Sequence, residues 1–275
     1  MNKTINIATW NLHYCIELNK ILNNIRINKN FANIDFLMLQ EVSLHDGIED
    51  ASLIANHLGE DYTYFQATAQ TLKKDIPQAN ALIWNKKKIE IDCFDIVELP
   101  PLHKGSRLHI PYKKIFDKEH KLVIFLRNVL QKRISLLLEG KIYKKTFRIY
   151  VVHFDIVGFA TKKRQMSFIL EDSNQRKNVD IEIIAGDLNT FKYFNMPQWK
   201  SIKESTEKAG FVDLTTNIKW TFSDSRFPKT HFARHKLDTI FIRDIANPTK
   251  LDYQSWSLDI SGSDHIPVFA KITLS

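Results

Sequence analysis

The chain has 275 residues, 44% of them hydrophobic and 25% charged, and its 39 Lys and Arg outnumber 31 Asp and Glu for a net charge of +8. A chain of this length buries about three quarters of its unfolded surface, and its composition excludes a disordered, collagen-like or disulfide-stapled polypeptide. Two cysteines, Cys15 and Cys93, cannot build a disulfide framework and read as ordinary packing residues.

No run approaches the roughly 20 apolar residues that a bilayer span needs. No apolar leader precedes the first strand, so the chain reads as cytoplasmic or as exported without a cleaved signal peptide. Eight Gly and eight Pro, with no linker between them, favour a single domain over residues 1–275. The basic surplus suits an anionic partner through long-range steering, and it equally suits simple solubility.

In chain order, residues 5–8 form a first short strand. Leu18, Ile21, Leu22 and Ile25 recur at helical spacing and predict a helix over 18–28. Residues 36–39 predict a second strand, and 49–58 a second amphipathic helix stopped by Gly59. Strands follow over 62–67, 79–84 and 89–99, before Pro100-Pro101 opens a polar loop reaching about residue 121. Segments 127–138 and 142–154 flank Glu139-Gly140-Lys141, which reads as a hairpin turn. Residues 161–170 and 198–209 are helical in pattern, and strands over 181–185, 237–242, 254–256 and 268–273 complete the chain. Strands joined by helices and hairpins in mixed order predict two packed sheets with helices outside.

Five polar motifs each stand at or near such strands: Thr9-Trp10-Asn11-Leu12-His13, Leu39-Gln40-Glu41-Val42, Val152-His153-Phe154, Gly186-Asp187-Leu188-Asn189-Thr190 and Ser263-Asp264-His265-Ile266-Pro267-Val268. In layered α/β folds, strand ends and the loops beyond them are where sites are assembled. Asn, Glu, His, Asp-x-Asn and Asp-His converging on one rim suit a hard metal ion and phosphate chemistry. A sixth motif, Lys236-Leu237-Asp238-Thr239-Ile240-Phe241, lies in register with them.

In this order and spacing the motifs resemble the endonuclease/exonuclease/phosphatase superfamily, the deoxyribonuclease I-like metal-dependent phosphoesterases, from Ile5 to Ile272. The resemblance implies a four-layered α/β sandwich with both mixed sheets inside. It makes Glu41 the first-choice ligand for Mg²⁺, with Mn²⁺ as a substitute. Asp264 is the second carboxylate, and Asn11 an amide ligand or an orienting neighbour. An imidazole has the pKa to deprotonate water near neutrality, and Asp238 matches the aspartate that hydrogen-bonds His265 in the family. Either His265 or Asp187 serves as general base in family members, and both stand open here.

Asn189, two residues beyond Asp187, shares its face if the segment stays extended, and donates to phosphate. His153 matches a histidine that hydrogen-bonds the phosphate; the glutamate that partners it in deoxyribonuclease I has no counterpart. Asn80 resembles the asparagine of a Gly-Asn-Ala segment, with Ala79 in the glycine position, and Arg127 stands in a family-like place for binding substrate. Arg234 belongs to a basic and aromatic stretch, 223–235, that suits nucleic acid or a phosphoinositide headgroup. Three expectations follow: a nuclease on DNA or RNA, a phosphoinositide phosphatase or phospholipase C-like enzyme, and a non-catalytic binding protein on the same fold. The intact set Glu41, Asp187, Asn189, Asp264 and His265 disfavours the last.

Overall fold

The structure is a computed structural model that describes residues 3–71, 76–101, 132–156, 158–190, 198–223, 234–245 and 251–274. The first sheet takes β1 (Lys3–Asn11), β2 (Phe36–Val42), β5 (Tyr62–Thr71), β6 (Pro77–Asn85), β15 (Asp252–Ser257) and β16 (Val268–Leu274) in the order β15-β16-β1-β2-β6-β5. The second takes β7 (Ile89–Glu98), β8 (Ile134–Ile142), β9 (Lys145–His153), β10 (Ile181–Asp187), β11 (Val212–Asp213) and β14 (Asp238–Asp244) in the order β11-β14-β10-β9-β8-β7. Two small hairpins, β3–β4 (Leu44–His45 and Ile48–Glu49) and β12–β13 (Phe222–Ser223 and Arg234–His235), sit apart from these sheets.

Strand periodicity of two explains why the sheets stack with helices outside. In β1, Ile5 and Ile7 point into the space between the sheets while Ala8 and Trp10 point the other way. β2 repeats the pattern with Phe36 and Met38 inward against Leu37 and Leu39 outward. The inward set meets Leu136, Ile149, Val151, Ile183 and Ile240 of the second sheet in one buried core. The outward set is covered by α1 (Leu18–Ile27) and α2 (Asp50–Leu58). On the far face, α3 (Phe159–Gln175) and α4 (Gln198–Lys208) cover Tyr150, Val152, Ile184 and Phe241. The result is the expected four-layered sandwich. Among the described residues no helix is long and apolar enough to cross a membrane.

Three local expectations need correction. Glu139-Gly140-Lys141 does not turn: β8 runs through it to Ile142, and the reversal falls at Tyr143 and Lys144, both at positive φ (51° and 72°). Gly140 is glycine because a Cβ there would stand 2.1 Å from the Glu90 carbonyl oxygen of β7, a close approach between strands rather than a turn. Cys93 is exposed on β7, unlike the buried Cys15. The third concerns Asn189 and is taken up with the site. Arg127, and most of the polar loop after Pro101, lie outside the described residues.

At the end of β10 remote from Asp187, the buried Glu182 ties neighbouring strands together. Its carboxylate accepts from Arg148 of β9 at 2.6 Å and from Arg243 of β14. Buried charges survive only when paired and hydrogen-bonded in this way. The sheet is thus pinned at one end, and its other end carries the polar motifs.

Candidate active site

Parallel pairing of β1 with β2 sets Asn11, the end of β1, opposite Gln40, the residue before Glu41. The pairing of β10 with β9 and β14 does the same in the second sheet, with Asp187 opposite His153 on one flank and opposite Asp238 on the other. The loop before β16 is drawn onto this rim by two hydrogen bonds. Trp10 Nε1 donates to the His265 carbonyl at 2.9 Å, and Ser263 Oγ donates to the Asn11 carbonyl at 2.7 Å.

Glu41 is presented by a break in the ladder. Gln40 pairs with Asn80 and Val42 with Ala79, which leaves Glu41 as an unpaired bulge residue at φ 53°. A non-glycine residue in the left-handed region is strained, and such strain collects at functional sites. Here it turns a carboxylate out of an otherwise apolar strand. Burial pushes the Glu41 carboxyl up to about 7, the charges of His265 and Arg133 pull it back, and Asp187 and Asp264 add to the rise. Its hydrogen bond from Gln78 Nε2 is long, at 3.4 Å, and the same nitrogen donates to the Tyr14 hydroxyl at 3.0 Å.

Asp187 is buried at the centre. Its Oδ2 accepts from Asn11 Nδ2 at 3.0 Å and stands 3.8 Å from both His153 Nε2 and His265 Nε2. Burial raises its carboxyl to about 6; His265 opposes the shift and Asp238 adds to it. The other oxygen, Oδ1, accepts the backbone N–H of Asn189 at 2.7 Å. Asn189 has φ 51°, so the chain turns there instead of staying extended, and its amide nitrogen donates to the Phe154 carbonyl at 2.9 Å. That is the correction to the shared-face reading: the segment is not extended at Asn189, and one N–H of its amide braces the loop behind His153.

His265 is buried, with Nδ1 2.7 Å from Asp238 Oδ2. Burial works against its charged form, but the Asp238 charge and hydrogen bond, reinforced by Asp187 and Asp264, outweigh burial and raise it to about 10. Phe222 of the β12–β13 hairpin packs on the imidazole with ring centroids 5.0 Å apart, and Thr221 Oγ1 accepts the N–H groups of both Leu237 and Asp238. His153 is the electrostatic opposite. Burial first, then Arg133 and His265, hold it well below the usual histidine range.

The remaining expected residues differ in what they reach. Asp264 is partly exposed and lies 3.8 Å from His13 Nδ1. Asn11 accepts the His13 N–H on Oδ1 at 3.0 Å while donating to Asp187, so it orients the site's carboxylate. Asn80 is buried and directs one N–H of its amide to the Ile134 carbonyl at 3.0 Å, joining the two sheets. Arg234 is exposed and lies over the Trp220 indole at 4.4 Å, next to the hairpin that packs on His265.

Sequence reasoning passed over Arg133, His13, Gln78 and Phe222. The one signal was in Arg133 itself, a charged residue immediately before the apolar run Ile134-Ser135-Leu136-Leu137-Leu138. Its role could not be read without the fold.

Hard oxygen donors suit a hard divalent cation, and carboxylates pushed up by burial signal negative charge that the site's own cations leave incompletely balanced. Glu41, whose carboxyl feels the Asp264 charge, and Asp264 itself offer oxygen donors of that kind, while both polar atoms of Asn11 are engaged by Asp187 and His13. Asp187, Asp238 and His265 also bring ligand atoms within 4.8 Å of one another. Two of those three atoms, however, already face each other across the 2.7 Å His265–Asp238 bond.

Solved structures share this arrangement of strands and helices. An endonuclease/exonuclease/phosphatase protein from Bacteroides vulgatus superposes with a TM-score of 0.70 at 18% identity, covering 99% of this chain and 100% of that one. The fold is that of the endonuclease/exonuclease/phosphatase proteins. TDP2 of D. rerio, complexed with a single-strand DNA product, gives a TM-score of 0.69 at 13% identity over 99% of this chain and 100% of that one. A mannosyl-6-phosphatase from Bacteroides thetaiotaomicron gives 0.64 at 16% identity over 98% and 100%. No protein-family model and no curated protein matches the sequence. The endonuclease/exonuclease/phosphatase fold puts all six sequence motifs on one rim, as their resemblance implied.

Proposed function

We propose that the protein is a metal-dependent phosphoesterase that hydrolyses phosphodiester bonds, most readily those of nucleic acid. The observation that carries this reading is Asp187 Oδ2 standing 3.8 Å from the Nε2 atoms of both His153 and His265. A phosphate set beside these three atoms meets an acceptor for a water proton and two imidazoles for its non-bridging oxygens.

Water attack forms a P–O bond as the ester P–O bond breaks. Asp187, a carboxylate above about pH 6, accepts the water proton. His265, kept protonated by Asp238 below about pH 10, donates to a phosphate oxygen on which charge builds. His153 donates to a second oxygen as a neutral imidazole, and the leaving oxygen takes its proton from solvent. A bound Mg²⁺, with Mn²⁺ as substitute, would be held by Glu41 and Asp264 beside Asn11, and supplies Lewis-acid polarisation of the phosphate.

Two features favour nucleic acid. The net charge of +8 steers polyanions, and the exposed Arg234 lies over the half-buried Trp220 beside His265, a cation–aromatic pair that suits a strand's backbone and bases. The structural likeness to a mannosyl-6-phosphatase motivates a second reading, hydrolysis of a phosphorylated sugar by the same groups.

The test is a substrate panel with Mg²⁺: supercoiled plasmid, single-stranded oligonucleotide, sugar 6-phosphate and phosphoinositide vesicles. Cleavage of the DNA substrates is expected to dominate. Phosphate released from the sugar alone would favour the second reading, and lipid turnover alone would move the enzyme to the lipid branch.

A further inference from the structure

Among the described residues no carboxylate comes closer to His153 than 3.6 Å, so none is shown orienting the imidazole by a hydrogen bond. The residue against it is Arg133, 5% exposed, whose Nη1 lies 3.1 Å from His153 Nδ1 and 3.3 Å from Nε2. An atom nearly equidistant from both ring nitrogens at this range cannot lie in the ring plane without striking the carbon between them. Nη1 therefore lies over the imidazole face, with its N–H turned toward the ring nitrogens. The edge of the ring remains directed inward, with Nε2 3.6 Å from Glu41 Oε1 and 3.8 Å from Asp187 Oδ2.

Arg133 is itself held. Its Nε pairs with Asp155 Oδ1 at 3.4 Å, and both side chains are buried. Asp155 accepts from Gln165 Nε2 of α3 at 3.0 Å, while Gln165 Oε1 accepts the Asp155 backbone N–H at 3.1 Å. A chain of contacts thus runs from a helix on the outer layer to a ring at the catalytic rim. Burying a guanidinium is costly unless it is paired, and an arginine is permanently charged. The hydrolytic scheme leaves this buried cation without a task.

Given a phosphoester hydrolase at this site, we propose that Arg133 is a positioning residue for His153, locked by Asp155, and that it supplies the fixed positive charge on the His153 side of the cleft. The carboxylate that would directly orient the histidine is displaced one step outward, onto the arginine. The contact comes from above the ring plane, so the N–H that Nε2 carries within that plane stays directed inward. That N–H remains aimed between Glu41 and Asp187, where a phosphate oxygen or a water fits. A guanidinium reaches His153 through Nη1 and Asp155 through Nε at once, a fixed two-point hold that a single ammonium does not reproduce, so the role calls for Arg and not Lys.

Two readouts test this. In steady-state hydrolysis with Mg²⁺, Arg133→Ala is expected to lower kcat about 100-fold with KM changed less than about threefold, the cost typical of misplacing a reacting group. Arg133→Lys is expected to lose about tenfold, and Asp155→Asn about tenfold, as outer-shell partners do. Added guanidinium ion should partly rescue Arg133→Ala, and it should do nothing for Asp155→Asn.

The second readout needs no turnover. Long-range ¹H–¹⁵N spectra of histidine-labelled protein should show wild-type His153 as one neutral tautomer protonated on Nε2, and a broadened or mixed tautomer in Arg133→Lys. If Arg133→Ala does not fold, Arg133→Lys decides both arms. Variants with kcat within about threefold of wild type, or an unchanged His153 spectrum in Arg133→Lys, would overturn the proposal. A wild type that turns over no phosphate ester would sink the hydrolase reading, and the spectra would still decide whether Arg133 orders the ring.

Discussion

His265 Nδ1 lies 2.7 Å from Asp238 Oδ2, and with that nitrogen engaged the ring's other nitrogen faces Asp187 Oδ2 across 3.8 Å. One bond therefore fixes both the orientation of the imidazole and its charge.

Replacing Asp238 with Asn keeps the shape and removes the charge that raises His265. The His265 titration, followed by NMR, should fall from about 10 toward the ordinary value near 6.5. With a neutral, wrongly oriented ring, kcat should drop about 100-fold to 1,000-fold. An Asp238→Asn enzyme with wild-type kcat would remove His265 from the mechanism.

The pH–rate profile should carry an acid limb set by Asp187. A base must be deprotonated to work, so the rate should rise with pH through the Asp187 value of about 6 in the metal-free protein. Bound metal stabilises the carboxylate and moves the limb below that value. Asp187→Asn should abolish the limb along with most of the activity.

Glu41 links stability to metal binding. Its folded-state value of about 7 lies above that of the unfolded chain, about 4.3 for a glutamate. The folded protein therefore holds the Glu41 proton more tightly. Its stabilising contribution is full below about pH 4.3 and is lost as pH rises through about 7. Glu41→Gln should accordingly raise the Tm of metal-free protein at pH 8 by several degrees. Mg²⁺ should raise the Tm of wild type but not of the variant, as differential scanning calorimetry would show. An unchanged Mg²⁺ response in Glu41→Gln would take the metal away from this residue.

Gly186, just before Asp187, is a structural requirement of the site. A Cβ there would stand 1.9 Å from the Val152 carbonyl oxygen, and its φ of 145° disfavours any side chain. Gly186→Ala should destabilise by about 4 kcal/mol or more, lowering Tm by roughly 10 °C, because rigid backbone has to move. Recovery of soluble variant with a wild-type melting curve would show that β9 and β10 can part locally.

Much of this fold was legible because its signals are local. The helix over 18–28 appears as Leu18–Ile27 and stops where its apolar stripe stops, and Gly59 caps α2 as its position promised. The strand ends carrying Asn11, Glu41, His153 and Asp187 were legible for the same reason, since each polar residue closes an apolar run. What the sequence hid was set by partners distant along the chain. Gly140 looked like a turn because its real constraint, the Glu90 carbonyl, lies on another strand. Asn189 looked extended because alternation cannot register the left-handed φ that Gly186-Asp187-Leu188-Asn189 adopts at its end. Arg133 gave only a charge in an apolar setting; its contacts with His153 and Asp155 span 20 and 22 residues. The bond by which the Asn80 amide joins the two sheets was hidden for the same reason, since no local pattern encodes their pairing.

The most direct measurement is nicking of supercoiled plasmid DNA by purified protein with Mg²⁺, beside His265→Ala and an EDTA control. The expected result is nicking by wild type that EDTA abolishes and His265→Ala reduces at least about 100-fold. Nicking that persists undiminished in His265→Ala would contradict the account, because the chemistry would then lie outside the cleft that Asp187, His153 and His265 define.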